Sequence, residues 1–325
     1  MFIDIFLNTI YTIRMSRISR YKESIDKFFK TKSFINDINP IYKNNILDIS
    51  SKTDYFISVV LLTVMNNISK KILNVSLHGY FMASSIESLF CLNRISENKT
   101  FYNNTLGDNN LNKLYNIVIS NIYKTLSQNI DTINIYLSKE KLIKINNYIN
   151  KYITNKLELL LNSLDEPKNN WITNDLIKYK LCDKKIKDKL SALKVYSKND
   201  LLNYIDNKLG NICKITLVSG YILGGGDEKN IPNLEKLAVY MAQLIKVASD
   251  FNNIEEDLNY SNGYTYNTVI TLGYQEAFEL FQTSREKFVE GTMILEIHTN
   301  TIKEIIDLLE ERIDKFIDNT ATQSE

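Results

Sequence analysis

Asp250, Asn253 and Asp257 are three oxygen-bearing side chains at offsets of three and seven residues. At about 100° per residue, those offsets place all three within roughly 60° of arc on one helix face. A hard divalent cation such as Mg2+ selects carboxylate and amide oxygens, keeps several waters and bridges to phosphate oxygens, so this face is a candidate metal wall. The same residues also suit the solvated end of a helix, because Glu255 and Glu256 extend the acidic run. Upstream stands Lys208, followed by Gly210 and, twelve residues after the lysine, by Gly220. An ammonium just before small residues on a buried helix can act as a point charge for phosphate oxygens. Gly210, Ser219 and Gly220 would let a second helix or an extended apolar ligand approach closely. A helix crossing with a surface lysine is the structural alternative for the same residues.

The elements that must carry these side chains are helices. Only three prolines (Pro40, Pro167, Pro232) and ten glycines interrupt 325 residues, and apolar positions recur at three and four rather than two. The pattern predicts an all-α chain with helices near 2–33, 53–72, 79–96, 109–130, 138–164, 173–194, 199–223, 232–258, 273–295 and 297–318. Asp165-Glu166-Pro167 and Gly224-Gly225-Gly226 stop helices, Pro232 opens one at its first turn, and Asn199-Asp200 can cap the helix that carries Lys208. No linker or repeat divides the chain, so residues 1–325 read as one helical domain with a frayed tail at 320–325.

Composition narrows the function classes. Hydrophobic residues make up 44% and charged residues 24%, enough for a sizeable core. Thirty-nine basic against thirty-eight acidic residues leave nothing at whole-chain level that points to nucleic acid or an anionic membrane. Cys91, Cys182 and Cys213 lack metal-ligand spacing and read as reduced, buried thiols, which implies a cytoplasmic protein. The apolar run 56–65 falls well short of the roughly 18 residues of a membrane span, and the N-terminus reads as an amphipathic helix rather than a signal peptide. Arg14, Arg17, Arg20 and Lys22 form a basic stripe on that helix, read as a solvated face. His78 and His298 have no carboxylate at metal spacing, and Trp171 reads as a helix-start packing residue.

The segment from Lys208 to Asp257 resembles the C-terminal half of the polyprenyl synthetase family, the trans-isoprenyl diphosphate synthases. That family carries a lysine, a small residue, a glycine twelve residues after the lysine, then a helix ending in a glutamine and a second DDxxD motif. Lys208, Gly210 and Gly220 keep that register, whereas Ser249, Asp250 and Asn253 stand where the family has three aspartates and Lys246 stands in place of the glutamine. Upstream, Glu87 resembles the family glutamate ten residues before the first DDxxD, which puts Glu97, Asn98 and Phe101 in that motif. Of the motif that binds isopentenyl diphosphate, Lys52 is what corresponds. The spacing Ser249-Asp250, Asn253, Asp257 is also loosely similar to the second metal motif of terpene cyclases. The run 239–257 is similar in style to enzymes that prenylate pheromone peptides.

The resemblance implies an all-α isoprenoid synthase fold, with antiparallel helices around a central cavity, and a dimer. It further implies Mg2+ held by Asp250, Asn253, Asp257 and Glu97, and a prenyl diphosphate held by Lys208, Lys52 and Lys246. Three functions follow as alternatives. One is a divergent prenyltransferase acting on isopentenyl diphosphate or another acceptor. A second is a non-catalytic subunit of a heteromeric prenyl diphosphate synthase, in keeping with the lost acids at both motifs. The third is a class I terpene cyclase.

Overall fold

The computed structural model describes residues 16–31, 38–51, 55–69, 76–97, 106–131, 147–148, 150–158, 194–195, 197–254, 257 and 264–322. The longer segments among them are helical. α1 (Arg17–Thr31) is amphipathic and buries Ile18, Ile25, Phe28 and Phe29. Its start is fixed by Ser16, whose Oγ accepts the Ser19 N–H at 3.1 Å. α2 (Pro40–Ser51) opens on proline, which gives up no needed hydrogen bond at a first helical position. The Asn39 side chain accepts the Ile41 N–H at 3.0 Å. The helices expected from the sequence leave this stretch out.

α3 (Phe56–Ile68) is the centre of the molecule: every residue from Phe56 to Met65 is buried. A helix apolar all round is stable only when other helices cover every side of it. α4 (Ser76–Glu97) and α7 (Asn211–Leu223) supply that cover, and α5 (Asp108–Asp131) packs on the far side of α4. α7 approaches α3 through Gly220, where a Cβ atom would lie 2.8 Å from the Leu61 carbonyl oxygen. The small residues after Lys208 thus serve a helix crossing, the structural alternative read from the sequence.

The segment expected as one helix over 199–223 contains three geometries. α6 (Lys198–Ile205) is capped by Ser197, whose side chain accepts the Asp200 N–H. A π-helical turn follows at Asp206–Gly210, and the chain then re-enters α7. α8 (Ile231–Asn252) starts with Pro232 in its first turn, as read from the sequence, but stops at Asn253 instead of running to 258. Helical hydrogen bonding resumes from the Asn253 carbonyl, which accepts the Asp257 N–H at 2.8 Å.

α9 (Thr268–Leu272), α10 (Tyr274–Ile294) and α11 (Asn300–Thr322) follow, and α10 and α11 both pack on α8. α11 extends into the segment expected to fray. A two-residue parallel bridge joins β1 (Lys194–Val195) to β2 (Tyr264–Thr265). One apolar cluster runs from Ile18 in α1 to Ile313 in α11. Among the described residues no helix is long and apolar enough to cross a membrane. Cys91 and Cys213 are buried and free, and burial pushes the Cys213 thiol well above its ordinary range, which leaves it inert.

Candidate functional site

The end of α8 offers two adjacent faces, and they do different things. Lys246 and Asp250, one turn apart, point towards the segment Tyr266–Thr268. Ile245 and Ser249, one turn apart and displaced by about 100° around the helix, line a small interior cavity.

On the first face, Asp250 is 2% exposed and both carboxylate oxygens are engaged. Oδ1 accepts from the Lys246 ammonium at 2.7 Å, and Oδ2 accepts the Thr268 backbone N–H at 2.7 Å. Burial is the largest influence on this carboxyl and raises it to about 6, against the opposing pull of the Lys246 charge; the Asp257 charge adds to the rise. Asn267 ties the region together. Its Nδ2 donates to the Asp250 carbonyl at 2.9 Å and to Asp257 Oδ2 at 2.8 Å. Its Oδ1 accepts the N–H groups of Val269 and Ile270, which caps α9.

Asp250 and Asp257 both accept from the Asn267 amide, Asp250 through its main-chain carbonyl and Asp257 through its carboxylate. Asn253 is the C-cap of α8, and its Nδ2 donates to the Ser249 Oγ at 3.1 Å. A divalent cation needs carboxylate oxygens aimed at a shared point with room for water. Asp250 spends its two oxygens on an ammonium and an amide, and the described residues contain no group of three or more His, Cys, Asp or Glu able to hold a metal ion. This wall does not fit Mg2+. Lys246, expected on a diphosphate, instead serves Asp250.

Lys208 sits on the π-helical turn and is 4% exposed. Its ammonium donates to the Tyr204 hydroxyl at 3.1 Å and lies 4.4 Å and 5.3 Å from the Tyr204 and Tyr266 ring centroids. Those two rings stack at 3.8 Å with 15° between planes. The extra residue of a π turn shifts helix register, and here it accompanies Lys208 turned onto the tyrosines. Gly210 leaves space for Asp206, which pairs with Lys214 at 2.6 Å. Tyr266 and Asn267 are consecutive, so the lysine clamp and the carboxylate staple share one connector.

The second face meets α3, α4 and α11 around a cavity of about 50 Å3. Phe56, Ile57, Phe90 and Ile245 give it apolar walls, and Glu87, Arg94, Ser249 and Arg312 give it polar ones. Glu87 is 1% exposed and accepts a short hydrogen bond from Ser58. Lys208 and Asp250 do not line this cavity, which lies on the neighbouring face of α8. Glu87, Phe90 and Arg94 share one helix face, a pattern that was open to sequence reading; Arg312 lies 218 positions after Arg94 and carries no sequence signal that links it to them. Glu97 is the last residue of α4. Lys52, Asn98 and Phe101 lie outside the described residues. His298 is packed, with Nδ1 2.9 Å from the Thr292 hydroxyl.

The sequence matches no protein-family profile and no curated protein. The structure does have counterparts. A geranyltransferase from Legionella pneumophila superposes with a TM-score of 0.56 at 9% identity, over 93% of this chain and 96% of that one. A Helicobacter pylori geranyltransferase complexed with magnesium and isoprenyl diphosphate gives 0.55 at 14% identity, over 92% and 96%. A geranyltranstransferase from Thermotoga maritima gives 0.53 at 13% identity, over 93% and 99%. Agreement over nearly the whole length of both partners identifies the architecture: this chain has the all-α isoprenoid synthase fold of the polyprenyl diphosphate synthases.

Proposed function

We propose that this chain binds a prenyl diphosphate between α3, α4, α8 and α11 and acts as a divergent prenyltransferase, passing the prenyl group to isopentenyl diphosphate or another acceptor. In that reaction the bond from C1 to the diphosphate oxygen breaks, C1 bonds the acceptor, and the acceptor releases a proton. The observation that carries the reading is the cavity beside Ser249, which pairs polar and cationic groups with apolar walls at the helix end where the resemblance puts the second aspartate motif. The hydrocarbon chain enters on the side of Ile57, Phe90 and Ile245 by displacing side chains. The polyprenyl synthetase resemblance also supports a homodimer or a heterodimer with an intact synthase.

Calorimetry with farnesyl diphosphate, with EDTA and then with Mg2+, tests binding, and pyrophosphate release with and without isopentenyl diphosphate tests transfer. Binding together with release supports the reading; neither binding nor release overturns it.

A second reading, the non-catalytic subunit, is favoured by the saturated carboxylate of Asp250. A wall that normally holds metal has here become a structural staple, as suits a chain that keeps a fold and a dimer surface without ionising a substrate. Co-purification with an intact DDxxD enzyme, and activity only in that complex, selects this reading; turnover by the isolated chain excludes it.

A further inference from the structure

We infer that the outer face of α1 docks the protein on an anionic membrane surface, with Arg17, Arg20 and Lys27 against lipid phosphates. This surface is separate from the cavity beside Ser249 and does not depend on what that cavity binds.

Charge is unevenly placed along the chain. Between Arg14 and Lys32 stand seven Lys/Arg against two acids, Glu23 and Asp26, whereas the whole chain carries a net charge of +1, so the remaining residues are together net negative. A basic element on an acidic body is an electrostatic footprint for an anionic partner.

In α1 that charge has a side. At about 100° per residue, Arg17, Arg20, Ser24, Lys27 and Thr31 fall within roughly 80° of arc, and all are exposed. Ile18, Ile25 and Phe29 lie on the opposite side, in the core. Among the described residues no ion pair engages Arg17, Arg20 or Lys27. Asp26 is taken up by Lys30 at 2.8 Å and by the Tyr55 hydroxyl at 3.0 Å, and Glu23 stands at the edge of the stripe. Lys22 is turned onto the Phe56 ring and is no part of this face. Ser24 and Thr31, between the cations, are short enough to let the long basic side chains meet a flat surface.

Two features select lipid over nucleic acid. Packed on the core along its apolar side, α1 offers a face that lies on a plane, not a free helix that enters a groove. The sequence just before it, residues 2–13, holds eight large apolar side chains, one acid and no base. A basic patch joined to apolar groups is the pairing that attaches a protein to a membrane surface, and each Lys or Arg near an anionic leaflet strengthens binding about fivefold.

The test is co-sedimentation of the full chain with phosphatidylcholine vesicles that contain about one third phosphatidylglycerol, against pure phosphatidylcholine, at low and at high salt. Expected is binding to the anionic vesicles that exceeds binding to neutral ones, weakens as salt rises, and falls about tenfold or more when Arg17→Gln, Arg20→Gln and Lys27→Gln are combined. Lys198→Gln, Lys229→Gln and Lys287→Gln, combined, remove the same charge from exposed positions elsewhere and leave binding unchanged. Ser24→Glu is the second variant, for the case in which the α1 triple variant does not fold. It sets an acid among the three cations without removing one, and it weakens binding in the same way. Equal binding to neutral vesicles, binding to neither, or binding that survives both the triple variant and Ser24→Glu overturns the assignment. Tighter binding to a DNA duplex than to anionic vesicles, lost in the same α1 variants, gives the face to nucleic acid and overturns it as well.

Discussion

The carboxylate of Asp250 accepts the backbone N–H of Thr268 at 2.7 Å, across eighteen residues of chain. With its other oxygen on Lys246, it fastens the end of α8 to the first turn of α9. An aspartate read from sequence as a metal ligand is thus the anchor of a helix start, favoured there by the positive end of the helix backbone.

Removing that anchor is costly. Asp250→Ala leaves a buried lysine and a buried N–H without their acceptor, and the expected loss is about 3–5 kcal/mol of unfolding free energy. Urea denaturation measures it. An unchanged midpoint would show that the carboxylate contributes nothing to stability and reopen its assignment as a ligand.

The same carboxyl makes stability depend on pH with a definite sign. Its folded-state value, about 6, lies above the ordinary 3.8, so the native state binds the proton more tightly than the unfolded chain does between those values. The contribution of this group is therefore complete below 3.8 and declines as pH rises through about 6. In Asp250→Asn the decline is absent. The stability difference between wild type and this variant is expected to move against the wild type from pH 4 to pH 6; a flat difference contradicts the assignment.

Asn267 offers an isosteric test. Asn267→Ala loses the cap of α9, about 0.5–2 kcal/mol, together with its bonds to Asp250 and Asp257. Asn267→Asp keeps the capping oxygen but turns the donor into an acceptor that faces the Asp250 carbonyl and the Asp257 carboxylate. At neutral pH it is expected to be at least as destabilised as the alanine variant and to recover on acidification, read from thermal midpoints at pH 7 and pH 5. Equal behaviour at both pH values would remove Asn267 Nδ2 from the network.

Gly220→Ala probes the crossing of α7 on α3. The new methyl meets backbone, the Leu61 carbonyl at 2.8 Å, so the helices must separate. The expected cost is about 1–3 kcal/mol. A variant as stable as wild type would mean that the crossing has slack that the close contact conceals.

What the sequence determined by itself is the helical nature of the chain, the starts and stops that proline, glycine and capping residues enforce, and the close approach at Gly220. These depend on neighbours three or four positions apart or on the reach of a single backbone, and such information is local. The resemblance carried by Lys208, Gly210 and Gly220 pointed to the isoprenoid synthase fold that the structure has. Tertiary structure alone decided where the polar groups point. Asp250 and Ser249 are consecutive, yet about 100° of helix rotation sends one to Thr268 and the other to a cavity. Asn267 and Arg312 acquire their partners only when α9 and α11 fold back onto α3, α4 and α8, and no periodicity along the chain encodes an encounter between residues brought together by packing from far apart in sequence.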